Sequence, residues 1–213
     1  MRINHLSRRR FVSSVVTISV CTLTGYSSTA PAQATTTHNA QRLRLIGEAR
    51  LPHKLQYQGT TVGGLSGLNF DAASGNYYLL SDDGGSRSSP RFYTARLQLS
   101  AAGVGDIELT GVTFLQGVQA PDPQALRWHA GTQSLFWTSE GNAAKFAAPP
   151  LHLSRLDSSL QRTFAMPALF DFGLSNSPRI NKTPEGIALA PDGQTAWLAI
   201  EAALRRDGPV PGG

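Results

Sequence analysis

TPEGIALAPDGQTAWLAIE, residues 183 to 201, is an apolar segment, a Pro-Asp-Gly turn and a second apolar segment that ends on a glutamate. GLSGLNFDAASGNYYLLSD at 64 to 82 and PQALRWHAGTQSLFWTSE at 123 to 140 have the same form. In each copy a small residue precedes the closing acid by fifteen positions: Gly67 and Asp82, Ala125 and Glu140, Gly186 and Glu201. The copies start about sixty residues apart. Repeated hairpins at this long period predict a β-propeller.

The remainder of the chain supports an all-β fold. Short apolar or aromatic runs are separated by glycine, proline, asparagine and aspartate, and apolar residues at helical spacing are almost absent. Runs of this length bounded by turn residues are typical of β-strands. We therefore expect an all-β propeller. Its predicted strands are Gly67 to Phe70, Tyr77 to Ser81, Arg91 to Leu97, Ile107 to Leu115, Leu126 to Trp128, Ser134 to Thr138, Leu151 to Leu156, Ile187 to Leu189 and Ala196 to Ile200.

The N-terminus has the features of an export signal. Arginines at 8 to 10 precede a moderately apolar stretch from Val12 to Thr24, and Ala32-Gln33-Ala34 has the small-x-small form of a cleavage site. The paired arginines are typical of the twin-arginine type. We expect residues 1–34 to be a signal peptide, 35–44 a flexible mature N-terminus and 45–213 the propeller domain. The mature protein would then be periplasmic or secreted.

Removal of the leader changes the charge balance of the chain. The leader carries four of the nineteen basic residues and none of the fourteen acidic ones, which leaves fifteen against fourteen. A nearly balanced chain gives no reason to expect nucleic acid as a partner, and the mature chain has no expected membrane anchor. Cys21, the single cysteine, is lost with the leader, so disulfides and thiolate chemistry are excluded from the predicted mature chain.

The acids that close the hairpins are the candidate site residues. In a propeller blade the second strand returns to the face on which the first strand begins, so Glu185 and Glu201 should be neighbours, and the three blades should bring the acids into one channel mouth. Carboxylates that lie so close together raise one another's pKa unless a cation neutralises them. An oxygen-rich site of this kind suits Ca²⁺. We predict a metal site formed by Asp82, Glu140, Glu185 and Glu201. The alternative is that these acids are solvated strand ends.

Several stretches together resemble the phytase-like domain family known as "esterase-like activity of phytase". They are GGLSGLNFDAASGNYYLLSDDGG (63–85) with Arg91-Phe92-Tyr93, DPQALRWHAGTQSLFWTSEGN (122–142), MPALFDFG (166–173) and RINKTPEGIA (179–188). The resemblance runs from about Leu45 to the end of the chain. Gln124 stands where the family usually has glutamate. The family's domain has roughly six blades, so the resemblance implies about three to three and a half blades here, with the rest of the propeller missing or supplied by a second copy; we expect truncation.

The resemblance implies hydrolysis of a small-molecule ester or phosphoester. The predicted substrate-binding residues are Asp83, Arg91, Arg179, Asn181 and Lys182, of which Arg91, Arg179 and Lys182 supply charge for a phosphate. A serine hydrolase is disfavoured because Gly64-Leu65-Ser66-Gly67-Leu68 lacks the second glycine of a nucleophile elbow and begins a strand. Two other functions fit the same residues. One is a non-catalytic propeller that binds a ligand or protein, and the other is a metal-dependent sugar-lactone hydrolase that uses Asn181 and Glu185.

Overall fold

The structure is a computed structural model, and it describes residues 44–83, 88–118, 122–145, 148–173 and 177–209. The predicted signal peptide and all but the last residue of the predicted flexible segment lie outside these ranges. From Ile46 onward the described residues belong to one compact unit. Within the described ranges, no helix has both the length and the apolar character that crossing a membrane requires.

Twelve β-strands form the regular structure of the described residues, together with short 3-10 turns at Ala143–Lys145, Ala168–Phe170 and Arg205–Asp207. The strands are β1 Gln56–Tyr57, β2 Thr60–Thr61, β3 Leu65–Asp71, β4 Asn76–Ser81, β5 Arg91–Ser100, β6 Gly103–Phe114, β7 Pro123–His129, β8 Ser134–Ser139, β9 Leu151–Arg155, β10 Leu160–Phe164, β11 Pro184–Leu189 and β12 Ala196–Ile200. They pair antiparallel as β1-β2, β3-β4-β5-β6, β7-β8-β9-β10 and β11-β12. The prediction of an all-β fold is confirmed, and the propeller stays a prediction.

The three repeated hairpins are β3-β4, β7-β8 and β11-β12, and they share one pairing pattern. The N–H of each closing acid donates to a carbonyl eighteen residues earlier: Asp82 to Gly64 at 2.7 Å, Glu140 to Asp122 at 2.9 Å and Glu201 to Thr183 at 3.1 Å. Beside this bond the register of each first strand shifts, between Leu65 and Gly67, Pro123 and Leu126, and Pro184 and Gly186. Such bulges bend a strand and redirect a side chain. The repeat in the sequence therefore corresponds to a repeat in backbone geometry.

Successive sheets pack through the first strands of their hairpins. Strand β3 contacts β7, and β7 contacts β11. Gly67 lies so close to the next sheet that a Cβ added to it would be 2.6 Å from Leu126 Cδ2. The Asn69 side-chain oxygen accepts a 2.7 Å hydrogen bond from the backbone N–H of Trp128, which ties β3 to β7. This close packing brings the acid-bearing ends of neighbouring hairpins together.

Large apolar side chains fill the spaces between the sheets. Tyr78, Leu80, Phe92, Leu126, Leu135 and Trp137 form one buried cluster, and Ala125, Leu151 and Ile187 form another between the second and third hairpins. A third cluster, of Val62, Leu79, Tyr93 and Ala95, lies under the segment that contains β1 and β2. Burial of this apolar surface is the main force that fixes the hairpins relative to one another.

Candidate functional site

Three glutamates from two neighbouring hairpins converge at one end of the sheets. Glu140 follows β8, Glu185 lies in β11 and Glu201 follows β12. One carboxylate oxygen from each lies within 4.8 Å of those of the other two. Glu140 is buried, with 6% of its surface exposed, Glu185 is half-buried and Glu201 is exposed. We call these three residues the glutamate cluster.

The hairpin geometry explains this convergence. The backbone bonds that close the second and third hairpins place Glu140 and Glu201 at equivalent positions, directly after a strand. Glu185 occupies the irregular position of β11 between Pro184 and Gly186, so the bulge presents its side chain beside Glu201. The hydroxyl of buried Thr183 donates to the Glu140 backbone carbonyl at 3.3 Å, which joins the third hairpin to the second. The predicted proximity of Glu185 and Glu201 is therefore present.

Asp82, the fourth predicted metal ligand, occupies the same backbone position in the first hairpin but is not a member of the glutamate cluster. Its Oδ1 lies directly against Gly64, where an added Cβ would collide with it. Gly64 has a φ of +57°, a left-handed conformation that glycine adopts without strain. Asp82 still lies near enough for its charge to contribute to the raised pKa of Glu185.

Asp83, next in the chain, is paired with Arg91. Arg91 Nη1 lies 3.5 Å from Asp83 Oδ2, and both side chains are largely buried. Arg91 also donates from Nε to the Tyr93 hydroxyl at 2.7 Å, from Nη1 to the Ser89 carbonyl at 3.1 Å and from Nη2 to the Thr61 carbonyl at 2.8 Å. Arg91 was predicted to bind substrate. The structure places its guanidinium inside the first sheet, where protein acceptors surround it.

Asp122 is an acid at this end that the sequence interpretation missed. Its carbonyl accepts the N–H of Glu140, and its own N–H donates to Ser139 Oγ at 3.1 Å. Burial raises the pKa of its carboxyl, and the nearby charges of Asp82 and Asp83 raise it further. The hairpin spacing could have identified it, because Asp122 occupies the position of Gly64 and Thr183 in the other two copies.

The glutamate cluster holds more negative charge than its surroundings neutralise. Burial raises the pKa of Glu140 to about 7, and a hydrogen bond to Glu185 and the charges of Asp122, Glu185 and Glu201 act in the same direction. Burial also raises the pKa of Glu185, with Glu201, Asp122 and Asp82 contributing repulsion. Burial and mutual repulsion therefore favour the protonated forms of Glu140 and Glu185.

The remaining predicted residues lie in the segment that leads into β11. Lys182 Nζ forms a direct ion pair with Glu201 Oε1. Arg179 donates from Nε to the Ala203 carbonyl at 3.2 Å and from Nη2 to the Gly208 carbonyl at 2.6 Å. Asn181 is exposed and has a left-handed φ of 56°. Gln124 lies in the irregular part of β7, at the position that Glu185 occupies in β11.

The repeated hairpin sheets and the glutamate cluster define an all-β protein with an acidic candidate site built by neighbouring sheets. The family model described as "Phytase-like: Esterase-like activity of phytase" matches residues 60–213. The chain therefore belongs to this phytase-like family, and membership suggests an esterase or other hydrolase function. A search of curated proteins and a search of solved structures each found no match.

Proposed function

We propose that this protein is an exported phytase-like hydrolase that cleaves a small-molecule ester or phosphoester with the help of a divalent cation, Ca²⁺ in the first instance. The observation that carries the proposal is the glutamate cluster, in which carboxylate oxygens of Glu140, Glu185 and Glu201 lie within 4.8 Å of one another. Family membership supplies the reaction class. The carboxylates supply the reason for a cation.

The donor set suits a hard cation. It consists of carboxylate oxygens, which Ca²⁺ prefers, and Asp82 and Asp122 add negative charge nearby. Glu140 gives the strongest argument for a cation, because this carboxyl is buried beside other acids and its pKa is raised to about 7. A bound divalent cation would stabilise the ionised form of all three glutamates.

Each residue has a role in this proposal. Glu140, Glu185 and Glu201 would hold the cation, whose chemistry is to polarise an ester or phosphate oxygen and to favour ionisation of water. Asp122 would keep the surroundings of the site negative, and Asp83 would keep them structured through its ion pair with Arg91. Lys182 contacts Glu201 and Asn181 is the exposed residue before it, so an ammonium and an amide group could contact the substrate. Arg179 is held beside them by its bonds to two backbone carbonyls.

We further propose that the sheets are blades of a propeller and that the cation site lies at its channel. Successive contact of β3 with β7 and of β7 with β11 supports this arrangement, because the first strands of propeller blades line the channel in sequence order. The basic and apolar sequence of residues 1–34 supports export to the periplasm or beyond.

The test is a hydrolysis assay on the purified chain with phosphomonoester, carboxyl-ester and lactone substrates, each with Ca²⁺ and with chelator. We expect turnover with an ester or phosphoester that requires Ca²⁺ and falls by at least about 100-fold in Glu185→Gln. Asp192→Asn is the matched control, because Asp192 is an exposed acid in the turn of the same hairpin. Ca²⁺ binding without any turnover would favour the non-catalytic binding protein, and turnover of the lactone alone would favour the lactonase.

A further inference from the structure

We propose that Lys182 is the internal counter-cation of the glutamate cluster, and that a divalent cation must displace its ammonium group from Glu201 in order to bind. The inference rests on the proposed function, since it assumes that the glutamate cluster takes a cation. It assigns Lys182 a role before substrate arrives. Lys182 would set the affinity and selectivity of the site for its ion.

The backbone holds Lys182 beside Glu201. The Lys182 N–H donates to the Arg179 carbonyl at 3.1 Å, which closes a turn through left-handed Asn181. One residue later, the Thr183 carbonyl accepts the Glu201 N–H at 3.1 Å. The side chains of Lys182 and Glu201 therefore leave adjacent points of the same hairpin, and Nζ contacts Oε1 directly.

The ammonium group also interacts with the other two glutamates. The hydrogen bond to Glu201 raises the pKa of Lys182, and the charges of Glu201, Glu140 and Glu185 contribute further. Of the ion pairs in the described parts of the chain, that of Lys182 is the one that reaches the glutamate cluster. Arg91 is paired with Asp83, and Arg179 donates to the Ala203 and Gly208 carbonyls.

Displacement of Lys182 requires little rearrangement. Its side chain is 43% exposed and that of Glu201 is 37% exposed, so the ammonium group can turn into water without leaving a buried charge behind. Exposed ion pairs of this kind contribute little to stability, because water solvates both charges once they separate. A divalent ion that contacts three carboxylates interacts with them more strongly than a single ammonium group that contacts one. Both cannot occupy the same oxygen of Glu201.

The experiment is calorimetric titration of Ca²⁺ into the full chain and three variants at fixed pH and ionic strength. Lys182→Gln should bind Ca²⁺ about two- to fivefold more tightly, the factor that corresponds to loss of an exposed ion pair. Lys182→Arg keeps the charge and should bind like the wild type. Lys54→Gln, which removes an exposed lysine before β1, should leave the affinity unchanged.

Thermal unfolding gives a second measurement. Without Ca²⁺, Lys182→Gln should have a lower Tm than the wild type, because the cluster has lost its counter-charge; at saturating Ca²⁺ the two Tm values should coincide. Equal or weaker Ca²⁺ binding by Lys182→Gln overturns the inference and leaves the cation site standing. Absence of Ca²⁺ binding by the wild type overturns both the cation site and the role of Lys182. This outcome differs from failure of the Lys182 inference alone, because it is seen in the wild type before any variant is compared.

Discussion

Asp82 and Glu140 end the first and second hairpins at equivalent backbone positions, but the acids around them have different electrostatic surroundings. Asp82 packs against Gly64, and the adjacent Asp83 is paired with buried Arg91. Glu140 is buried, faces Glu185 and has a pKa raised to about 7. The arginine that pairs with Asp83 comes from β5, outside the repeated hairpin. The hairpin spacing thus fixes where Asp82 and Glu140 lie, and residues outside the hairpins set the charge balance around them.

The largest loss of stability should come from breaking the ion pair between Arg91 and Asp83. Arg91→Met removes a buried cation together with its ion pair to Asp83 and its hydrogen bonds to the Tyr93 hydroxyl and two backbone carbonyls. We expect a loss of about 3–5 kcal/mol in the free energy of unfolding, the usual cost of leaving one member of a buried ion pair. Urea unfolding measures it. Arg155→Met, at an exposed arginine of β9, should change stability by less than about 0.5 kcal/mol. If Arg91→Met changed the free energy of unfolding as little as this control, the stability of the first sheet would not depend on the ion pair between Arg91 and Asp83.

The glutamate cluster should respond to pH in the opposite sense from an ordinary carboxylate. Folding raises the pKa of Glu140 from 4.5 to about 7, so its contribution to stability is complete below pH 4.5 and is lost as pH rises through 7. In chelator, the wild type should lose up to about 3 kcal/mol relative to Glu140→Gln over this range, because the glutamine side chain cannot ionise. The effect of His152 is common to both proteins and cancels in the difference. Unfolding free energies from pH 4.5 to 8.5 test this, and parallel curves for the two proteins would contradict it.

A separate loss of stability at low pH should come from His152 in the second sheet. Its ring packs on Trp137 with 4.2 Å between centroids, and burial lowers its pKa from 6.5 to about 4. The stability that depends on neutral His152 is present above pH 6.5 and is lost as pH falls through 4, by about 3 kcal/mol in all. His152→Phe, which keeps an aromatic ring, should remove most of this acid-side slope. An unchanged slope would assign the effect to another group.

The smallest change in stability should come from adding a methyl group at the equivalent glycines of the first and third hairpins, Gly67 and Gly186. Gly67 lies between two sheets, where a Cβ would meet Leu126 Cδ2 at 2.6 Å and Leu80 Cβ at 3.2 Å; at Gly186 the nearest atom is Ala199 Cβ at 3.1 Å. Gly67→Ala should therefore cost about 1–3 kcal/mol from overpacking. Gly186→Ala should cost less than that. Chemical denaturation of both variants provides the comparison, and equal costs would mean that the first and second sheets are not packed as closely as described.

Much of the fold could be predicted from the sequence, because the hairpins carry both an apolar pattern and turn residues. Strand β12 was predicted with its observed bounds, Ala196–Ile200. Strand β10, Leu160–Phe164, was missed because three of its five residues are exposed polar side chains that give no apolar run. The short strands β1 and β2 were missed for a similar reason, since two residues cannot form a pattern.

The candidate site could be predicted in part. The fifteen-residue spacing identified Glu140 and Glu201, and the channel argument placed Glu185 beside Glu201. The spacing could not show that Asp82 lies outside the glutamate cluster. Asp82 packs against Gly64, whose left-handed backbone conformation is visible only in the structure. The sequence also could not show that Arg91 is enclosed. The acceptors around its guanidinium come from β2, from the segment between β4 and β5 and from Tyr93, and only folding brings them together. Asp122 was missed although the hairpin spacing places it at the position of Gly64 and Thr183.

Calorimetric titration of Ca²⁺ into the wild type and Glu185→Gln at pH 7.5 tests the cation site most directly. The glutamate cluster predicts one ion bound per chain in the wild type, affinity at least about tenfold weaker in Glu185→Gln, and wild-type affinity in Asp192→Asn. Failure of the wild type to bind Ca²⁺, or equal binding by Glu185→Gln, would contradict it.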